Sequence, residues 1–590
     1  MSDRSKFLPV SQEDMARRGW KECDIILVTG DAYVDHPSYG TALIGRVLED
    51  AGFRVGVMAQ PDWKTSSDFQ KLGRPRLFFS VAAGNMDSMV SNYTASKKPR
   101  RKDDYSPGGK PGLRPNRATI VYTSKIKGLF PGVPVVIGGI EASLRRLAHF
   151  DYWDEAVRRS VLVDSKADML IYGMAEKQIV EVARRMDTLL KSGPGISRPA
   201  LEKGLDNIRG TAVLRNGLEG FEDAVMLPSF DEVSANPDKF NEAFRLAYLE
   251  GDPVRGRPVV QKYGNRFLIQ QPPPFPLTTA ELDHIYQLPF VRAWHPLYDK
   301  QGGVPGFETV RFSITAHRGC AGECSFCSLF AHQGRMIQSR SKESILKEVR
   351  LLAGMKEFKG TITDIGGPTA NLYGAECDQW GIAGACRNKQ CMMPSKCGSL
   401  KLGYEKTVAL WNEVLKIPNV KHLFVQSGLR YDLLVDKTSD GYLEALCRNH
   451  VSGQLKVAPE HASEPLLKLM NKPSMKVYEK FRERFRTFSA RAGKEQYLVN
   501  YWICSHPGSG VREARELAAY LKEHRLHPEQ VQDFMPLPMT VSSCMYYTGK
   551  HPFTGEAVAS AKTYKEREAQ RLMVQPKLAQ RRTGNAQRKN

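Results

Sequence analysis

No stretch of this 590-residue chain holds the ~18 consecutive apolar residues that a helix needs to cross a bilayer, which excludes a membrane-spanning class. The N-terminal segment MSDRSKFLPVSQEDMARRGW lacks the apolar core of a secretory signal. A cytoplasmic protein with no membrane partner is expected. Acidic residues are in short supply: 64 Asp+Glu face 85 Lys+Arg, a net charge of +21. That balance suits an anionic partner such as RNA, DNA or a phosphorylated ligand. A merely soluble basic protein is the plain alternative, because no nucleic-acid-binding signature is present. Apolar residues are not scarce (41%) and charge is not crowded (25%), which argues against a largely disordered chain. One core rarely grows past ~250–300 residues, so two or three domains are expected.

What is present has two rhythms. The first third alternates apolar strand-like runs with helical patterns: DIILVTG, FRVGVMAQ, RLFFSVAAG, VPVVIGG and MLIYGMAE. Near-continuous apolar strands joined by helices predict a parallel sheet covered on both faces, so residues 1–195 are expected to form a doubly wound α/β domain. The charged, Pro/Gly-rich stretch Ser96–Arg117 inside it predicts an exposed loop. Residues 196–300 have a weaker pattern, and QQPPPFPLT (Gln270–Thr278) predicts a stiff strap to the next domain. From 301 to 550 six strand-like runs begin near 310, 360, 422, 454, 496 and 531, separated by helical patterns. Six βα units in sequence predict a partial (βα)6 barrel with its chemistry at the C-terminal strand ends. Residues 551–590 form a basic tail, and its end, QRRTGNAQRKN, is expected to be disordered.

Eleven cysteines are present, and seven of them fall between Cys320 and Cys397. In a reducing compartment such a patch predicts a metal site before a disulfide framework. CAGECSFC directly follows the first barrel strand and places Cys320, Cys324 and Cys327 at C-x3-C-x2-C spacing. Three thiolates can wrap three irons of a [4Fe–4S] cluster and leave the fourth open. A structural zinc normally takes four ligands, at other spacings.

This loop, with Phe326 before its last cysteine, resembles the signature of the radical S-adenosylmethionine (SAM) superfamily. The resemblance implies a [4Fe–4S] cluster, SAM on the open iron, and a 5′-deoxyadenosyl radical that abstracts hydrogen from a substrate. It also implies a reducing electron donor of flavodoxin or ferredoxin type. Gly366–Gly367 in DIGGPTAN is similar to the superfamily's GGE-type motif, although Pro368 stands where the acidic residue would be, so only backbone contact to SAM carries over. Arg430 in SGLRYD is expected to grip the SAM carboxylate, Ser427 to bond a ribose hydroxyl, and Glu460 in APEH to meet ribose or substrate. CSHPGSG resembles the segment that passes adenine. Over nearly the whole span from ~20 to ~560, the order of these motifs is similar to the YgiQ-type family of radical SAM proteins, whose resemblance supplies no substrate.

Two further features remain. The N-terminal sheet resembles cobalamin-binding-like domains, but Asp35-His36-Pro37-Ser38-Tyr39-Gly40 has the wrong register for D-x-H-x-x-G, so cobalamin is not expected and a docking role for substrate or partner is. Cys377, Cys386, Cys391 and Cys397, spaced C-x8-C-x4-C-x5-C, are expected to form a second site for zinc or an auxiliary cluster, with free thiols as the alternative. Cys23, Cys447, Cys504 and Cys544 are expected to pack as small apolar residues. An enzyme acting on a nucleic acid or phosphorylated substrate, or on a small molecule, is the leading expectation. A non-enzymatic RNA- or zinc-binding adaptor on a barrel scaffold is the contrasting one.

Overall fold

The computed structural model describes residues 4–191, 198–528 and 530–576. The chain divides into two compact units, Met1–Arg311 with Ala331–Gln333, and Phe312–Phe330 with Gly334–Asn590. Among the described residues, no helix is long and apolar enough to cross a membrane.

In the first unit the apolar runs form β1 (Ile25–Thr29), β2 (Val55–Ala59), β3 (Phe78–Ala82), β4 (Val135–Gly138) and β5 (Met169–Ile171). They pair in parallel in the order β2-β1-β3-β4-β5. All five residues of β1 are buried, which explains why the strand reads as unbroken IILVT rather than as an alternation: helices cover both faces. The sheet then continues. β6 (Thr211–Arg215), β7 (Val225–Met226), β8 (Val259–Tyr263) and β9 (Arg266–Gln270) extend it to nine strands, with β6 antiparallel to β5, β9 to β6 and β8 to β9. The region expected as a strap between domains is therefore part of the first unit's own sheet. The Pro-rich segment folds back along it, where the carbonyl of Pro272 accepts from Gly210 N–H (2.7 Å) and that of Pro273 from Arg209 Nε (3.0 Å).

The loop Ser96–Arg117 also departs from expectation. Its outer residues are exposed, but Asp103, Ser106 and Arg114 are buried. Arg114 reaches between the C-terminal ends of β1 and β3, bonding the Ala83 carbonyl (3.1 Å), Asp31 (2.8 Å) and Asp103 (3.1 Å). A charged loop reads as solvated until its partners are seen, and here two buried carboxylates share one guanidinium. Burial pushes the Asp31 carboxyl up to about 6 despite Arg114, with Asp103 adding to the rise. The folded chain thus holds this proton more tightly than an unfolded Asp at ~3.9. The stability it contributes is full below ~3.9 and is lost as pH rises through about 6. Asp31→Asn is expected to flatten the thermal-midpoint profile between about pH 4 and 6. A profile still sloped as in the wild type would contradict the assignment.

The second unit holds β10 (Ser313–Thr315), β11 (Thr361–Ile362), β12 (Asp364–Gly366), β13 (His422–Leu423), β14 (Gln454–Glu460), β15 (Tyr497–Cys504) and β16 (Gln530–Asp533). β11 and β12 are halves of one extended stretch around Thr363. Parallel pairing runs β10 to β12, β11 to β13, through the Leu429–Val457 bridge to β14, and on to β15 and β16. Each of the six runs read from the sequence thus contains a strand, in chain order. Helices such as Lys342–Ala353, Tyr404–Leu415 and Val511–Glu523 bury Val349, Leu410, Trp411 and Leu517 in a core shared with Ile314, Ile362, Leu455 and Val457. The tail is not structureless throughout: Tyr564–Val574 is a helix whose N-terminus is closed by a Thr563–Glu566 capping box. QRRTGNAQRKN lies outside the described residues.

Candidate active site

Cys320, Cys324 and Cys327 stand on a loop between the end of the first strand stretch and helix Leu329–Gln333. Gly319 precedes them at φ +84°, a conformation that glycine adopts without penalty, and Cys327 N–H donates to the Cys324 carbonyl (3.0 Å), which turns the loop back on itself. All three thiols are half-buried. Burial pushes the Cys327 thiol up to about 12 and raises Cys320, with the Cys324 thiol adding to both. Arg430 and Lys472 oppose the rise at Cys320. The loop holds three soft donors that a bound metal would deprotonate.

Arg430 is buried, and its fork is already taken. Nε and Nη2 donate to the two oxygens of Asp432 (2.8 and 2.7 Å), while Nη1 lies 3.5 Å from Cys324 Sγ. The neighbouring carboxylate two residues on occupies the edge expected to grip a SAM carboxylate, and the remaining nitrogen faces the cysteine loop. Asn371 fixes the arginine's backbone, accepting from its N–H (3.0 Å) and donating to its carbonyl (2.9 Å). DIGGPTAN and SGLRYD are thus bonded to each other.

Ser427 is likewise engaged. Its hydroxyl donates to Asp364, whose other oxygen accepts from the amides of Gln426 (2.9 Å) and Ser427 (3.2 Å). Only its lone pairs remain for a ribose. Around Gly366 and Gly367 the close approach comes from the chain itself. A Cβ on Gly366 would stand 2.6 Å from Ser427 Oγ, and one on Gly367 2.6 Å from the His317 ring. Pro368 leaves no acidic side chain there.

Glu460 ends β14 with φ +70°, beside a register shift in its pairing with β15. Burial pushes its carboxyl up to about 7, opposed by Lys472 (Nζ to Oε1 3.7 Å) and Arg430. Lys472 is itself buried, 5.7 Å from the centre of the Tyr431 ring. Phe326 stands edge-on to His506, with ring centres 6.1 Å apart. Sequence reasoning missed Asp432, although it lies inside the quoted SGLRYD. It also missed Lys472, which no local pattern marks.

In the second cysteine group Cys397 N–H donates to the Cys391 carbonyl (2.9 Å). Its loop is closed at the base by a Glu376–Lys401 bridge. Burial pushes Cys391 up to about 12, with Glu323, Cys377 and Cys386 adding to the rise and the Trp380 side chain bonding the thiol against it. Cys397 lies beside Ser399 and Lys389, which lower its thiol. Among the described residues, no three His, Cys, Asp or Glu side chains already converge on one metal ion. Cluster thiolates take different irons and need no such convergence; a tetrahedral zinc does. Cys23, Cys447, Cys504 and Cys544 are buried.

In the first unit His36 is fully buried; its Nδ1 accepts from Ser38 N–H (3.1 Å) and its Nε2 faces Arg292 (3.5 Å). Asp35 is paired with Arg46.

A family model described as the radical SAM N-terminal domain matches residues 7–313, and a domain of unknown function matches 529–580. A UPF0313 protein of Methanosarcina acetivorans is 51% identical over 589 residues, covering 97% of this chain and 78% of the relative. One from Clostridium botulinum is 50% identical over 569 residues, covering 96% and 87%. Among solved structures, the radical S-adenosylmethionine methyltransferase TsrM from Kitasatospora setae matches at 16% identity with a TM-score of 0.46, covering 88% of this chain and 75% of that one. With relatives at half identity over nearly the whole of this chain, it belongs to the UPF0313 family, the YgiQ-type radical SAM enzymes.

Proposed function

We propose that Cys320, Cys324 and Cys327 hold a [4Fe–4S] cluster at the mouth of a partial (βα)6 barrel, where SAM binds and the enzyme modifies its substrate through a radical. The observation that carries the reading is three thiols on one loop at the end of the first of six consecutive parallel strands, with the Arg430 guanidinium 3.5 Å from the middle one. When bound, the cluster and SAM supply one-electron cleavage of the sulfonium and a 5′-deoxyadenosyl radical. The chain's own part is to hold and shield. Arg430, buried and braced by Asp432, places a fixed cation beside the thiolates. Glu460 and Lys472 line the same buried region, Phe326 stands on the cysteine loop itself, and Ser427 follows the third strand. Anaerobic reconstitution should load about four irons per chain onto these three cysteines. A wild-type chain that folds but retains no iron sinks the reading.

For the substrate, the net charge of +21 favours a nucleic acid or phosphorylated compound, with an uncharged small molecule second, and a flavodoxin- or ferredoxin-type protein as electron donor. For the first unit, a docking role is the better fit than a cobalamin site. A cobalt ligand at His36 would need a free ring nitrogen, and the strand ends where such sheets bind cofactors are filled by Arg114.

The second cysteine group is proposed as a further metal site, zinc or an auxiliary cluster. Changing any one of Cys377, Cys386, Cys391 or Cys397 to Ser is expected to lower the metal content and to open the 372–400 loop to protease, since such binding energy is also folding energy. Unchanged metal content and proteolysis in all four variants would leave free thiols as the answer.

A further inference from the structure

The cysteine loop is held from outside by residues far along the chain. Ser325 N–H donates to the Met470 carbonyl (3.0 Å), and Asn471 Nδ2 donates to the Glu323 carbonyl (2.8 Å). On its other side, Ser542 N–H, in the first turn of helix Val541–Thr548, donates to the Ser325 carbonyl (2.9 Å). The Ser542 hydroxyl is committed as well. His506 bonds the Pro507 carbonyl through Nδ1 (2.8 Å), so Nδ1 carries the proton, and Nε2 accepts from Ser542 Oγ (2.7 Å). The His506 ring then stands edge-on to Phe326, next to Cys327.

The loop that carries His506 is braced in turn by the C-terminal helix Tyr564–Val574. Gln570 Oε1 accepts from Ser505 N–H (3.1 Å) and Ser509 Oγ (2.8 Å), and its Nε2 donates to the Ser509 carbonyl (2.8 Å). Gly508 N–H donates to the Ala559 carbonyl (2.7 Å). Ser542, His506 and Gln570 are all fully or nearly fully buried, so none of these bonds competes with bulk water.

We infer that residues 530–576, within the stretch matched by a domain of unknown function, clamp the cluster loop together with the His506 loop, and that Ser542 and His506 are the positioning residues. The inference rests on the cluster reading above but names a different set of residues. The clamp fixes the Ser325–Phe326 turn between two cysteines before any metal arrives. It therefore acts on the metal-free loop and on cluster retention, and it contributes no ligand.

The test is a double-mutant cycle on the reconstituted full-length protein: Ser542→Ala, His506→Phe and both together. Phe keeps the ring against Phe326 and removes the hydrogen bond. The readouts are the rate of iron release to a chelator and the spectrum of the reduced cluster. Each single variant should release iron about tenfold faster, the factor that corresponds to ~1.4 kcal/mol for one buried hydrogen bond, and the double variant no faster than either single. Ser542→Thr should restore the wild-type rate. Leu517→Ala, a core change in helix Val511–Glu523, should destabilise the fold without speeding iron release. Wild-type release rates in both single variants, additive effects in the double variant, or equally fast release from Leu517→Ala would each overturn the clamp. A wild-type chain with no iron on the three cysteines would instead overturn the cluster reading.

Discussion

Cys324→Ala is expected to abolish 5′-deoxyadenosine formation at every SAM concentration. Cleavage needs an electron delivered to a sulfonium held in line with its source, and the chain's contribution is that placement. Cys324 is the middle ligand of the proposed set, and it is the one with a guanidinium at 3.5 Å. Removing it takes away both a ligand and the group that Arg430 faces. No excess of SAM substitutes for a missing iron ligand, so the loss should appear in kcat and not as a raised SAM requirement. The measurement is product formation with a chemical reductant across a wide SAM range. Partial activity that saturates at high SAM would contradict the assignment.

Arg430→Ala is expected to destabilise the second unit by about 3–5 kcal/mol, the usual effect of stripping one partner from a buried ion pair. The Asp432 side chain is largely buried. Burial works to raise its carboxyl, and Arg430 outweighs that and holds it below the ordinary range. Without the guanidinium the carboxylate must take up a proton or draw in water. Because its folded-state value is depressed, the stability it contributes is present above the unfolded value of ~3.9 and is lost as pH falls through the folded one. In the variant, that acid-side loss should move to higher pH. Urea unfolding of the metal-free chain at several pH values reads both effects. Arg430→Ala with Asp432→Ala should recover part of the loss, since neither charge is then buried alone. A single variant with wild-type stability and only a weakened response to SAM would restore the carboxylate grip expected from SGLRYD.

That contrast shows what the sequence carries and what it hides. Strands were legible wherever the chain buries both faces, as in IILVT of β1, or follows a fixed βα alternation, as from β10 to β16. The cysteine loop stands out in the sequence because its pattern is local: three cysteines within eight residues. A motif shows which side chain is present and not which neighbour reaches it first, as at Arg430, whose fork Asp432 holds. The same holds for Ser427, claimed by Asp364 from the adjacent strand, and for Gly367, pressed against His317. The region 196–300 read as a strap because three of its four strand pairings are antiparallel, and an antiparallel pairing needs no crossover helix to announce it. Arg114 looked solvated within a run of charge, since the two carboxylates that bury it are far away or masked by neighbours of like kind. Ser542, far along the chain from Cys327, reaches the cysteine loop through a backbone hydrogen bond to Ser325, which no side-chain pattern encodes.

The central claim is that three cysteines on one loop bind a cluster whose open iron meets SAM. Its most direct measurement is the electron paramagnetic resonance spectrum of the reduced, anaerobically reconstituted protein, recorded with and without SAM. Wild-type protein should show a [4Fe–4S] signal that shifts when SAM is added. The Cys320→Ala, Cys324→Ala, Cys327→Ala triple variant should show no SAM-responsive signal, even if the second cysteine group still holds iron. A triple variant that keeps the SAM-responsive signal would contradict the account.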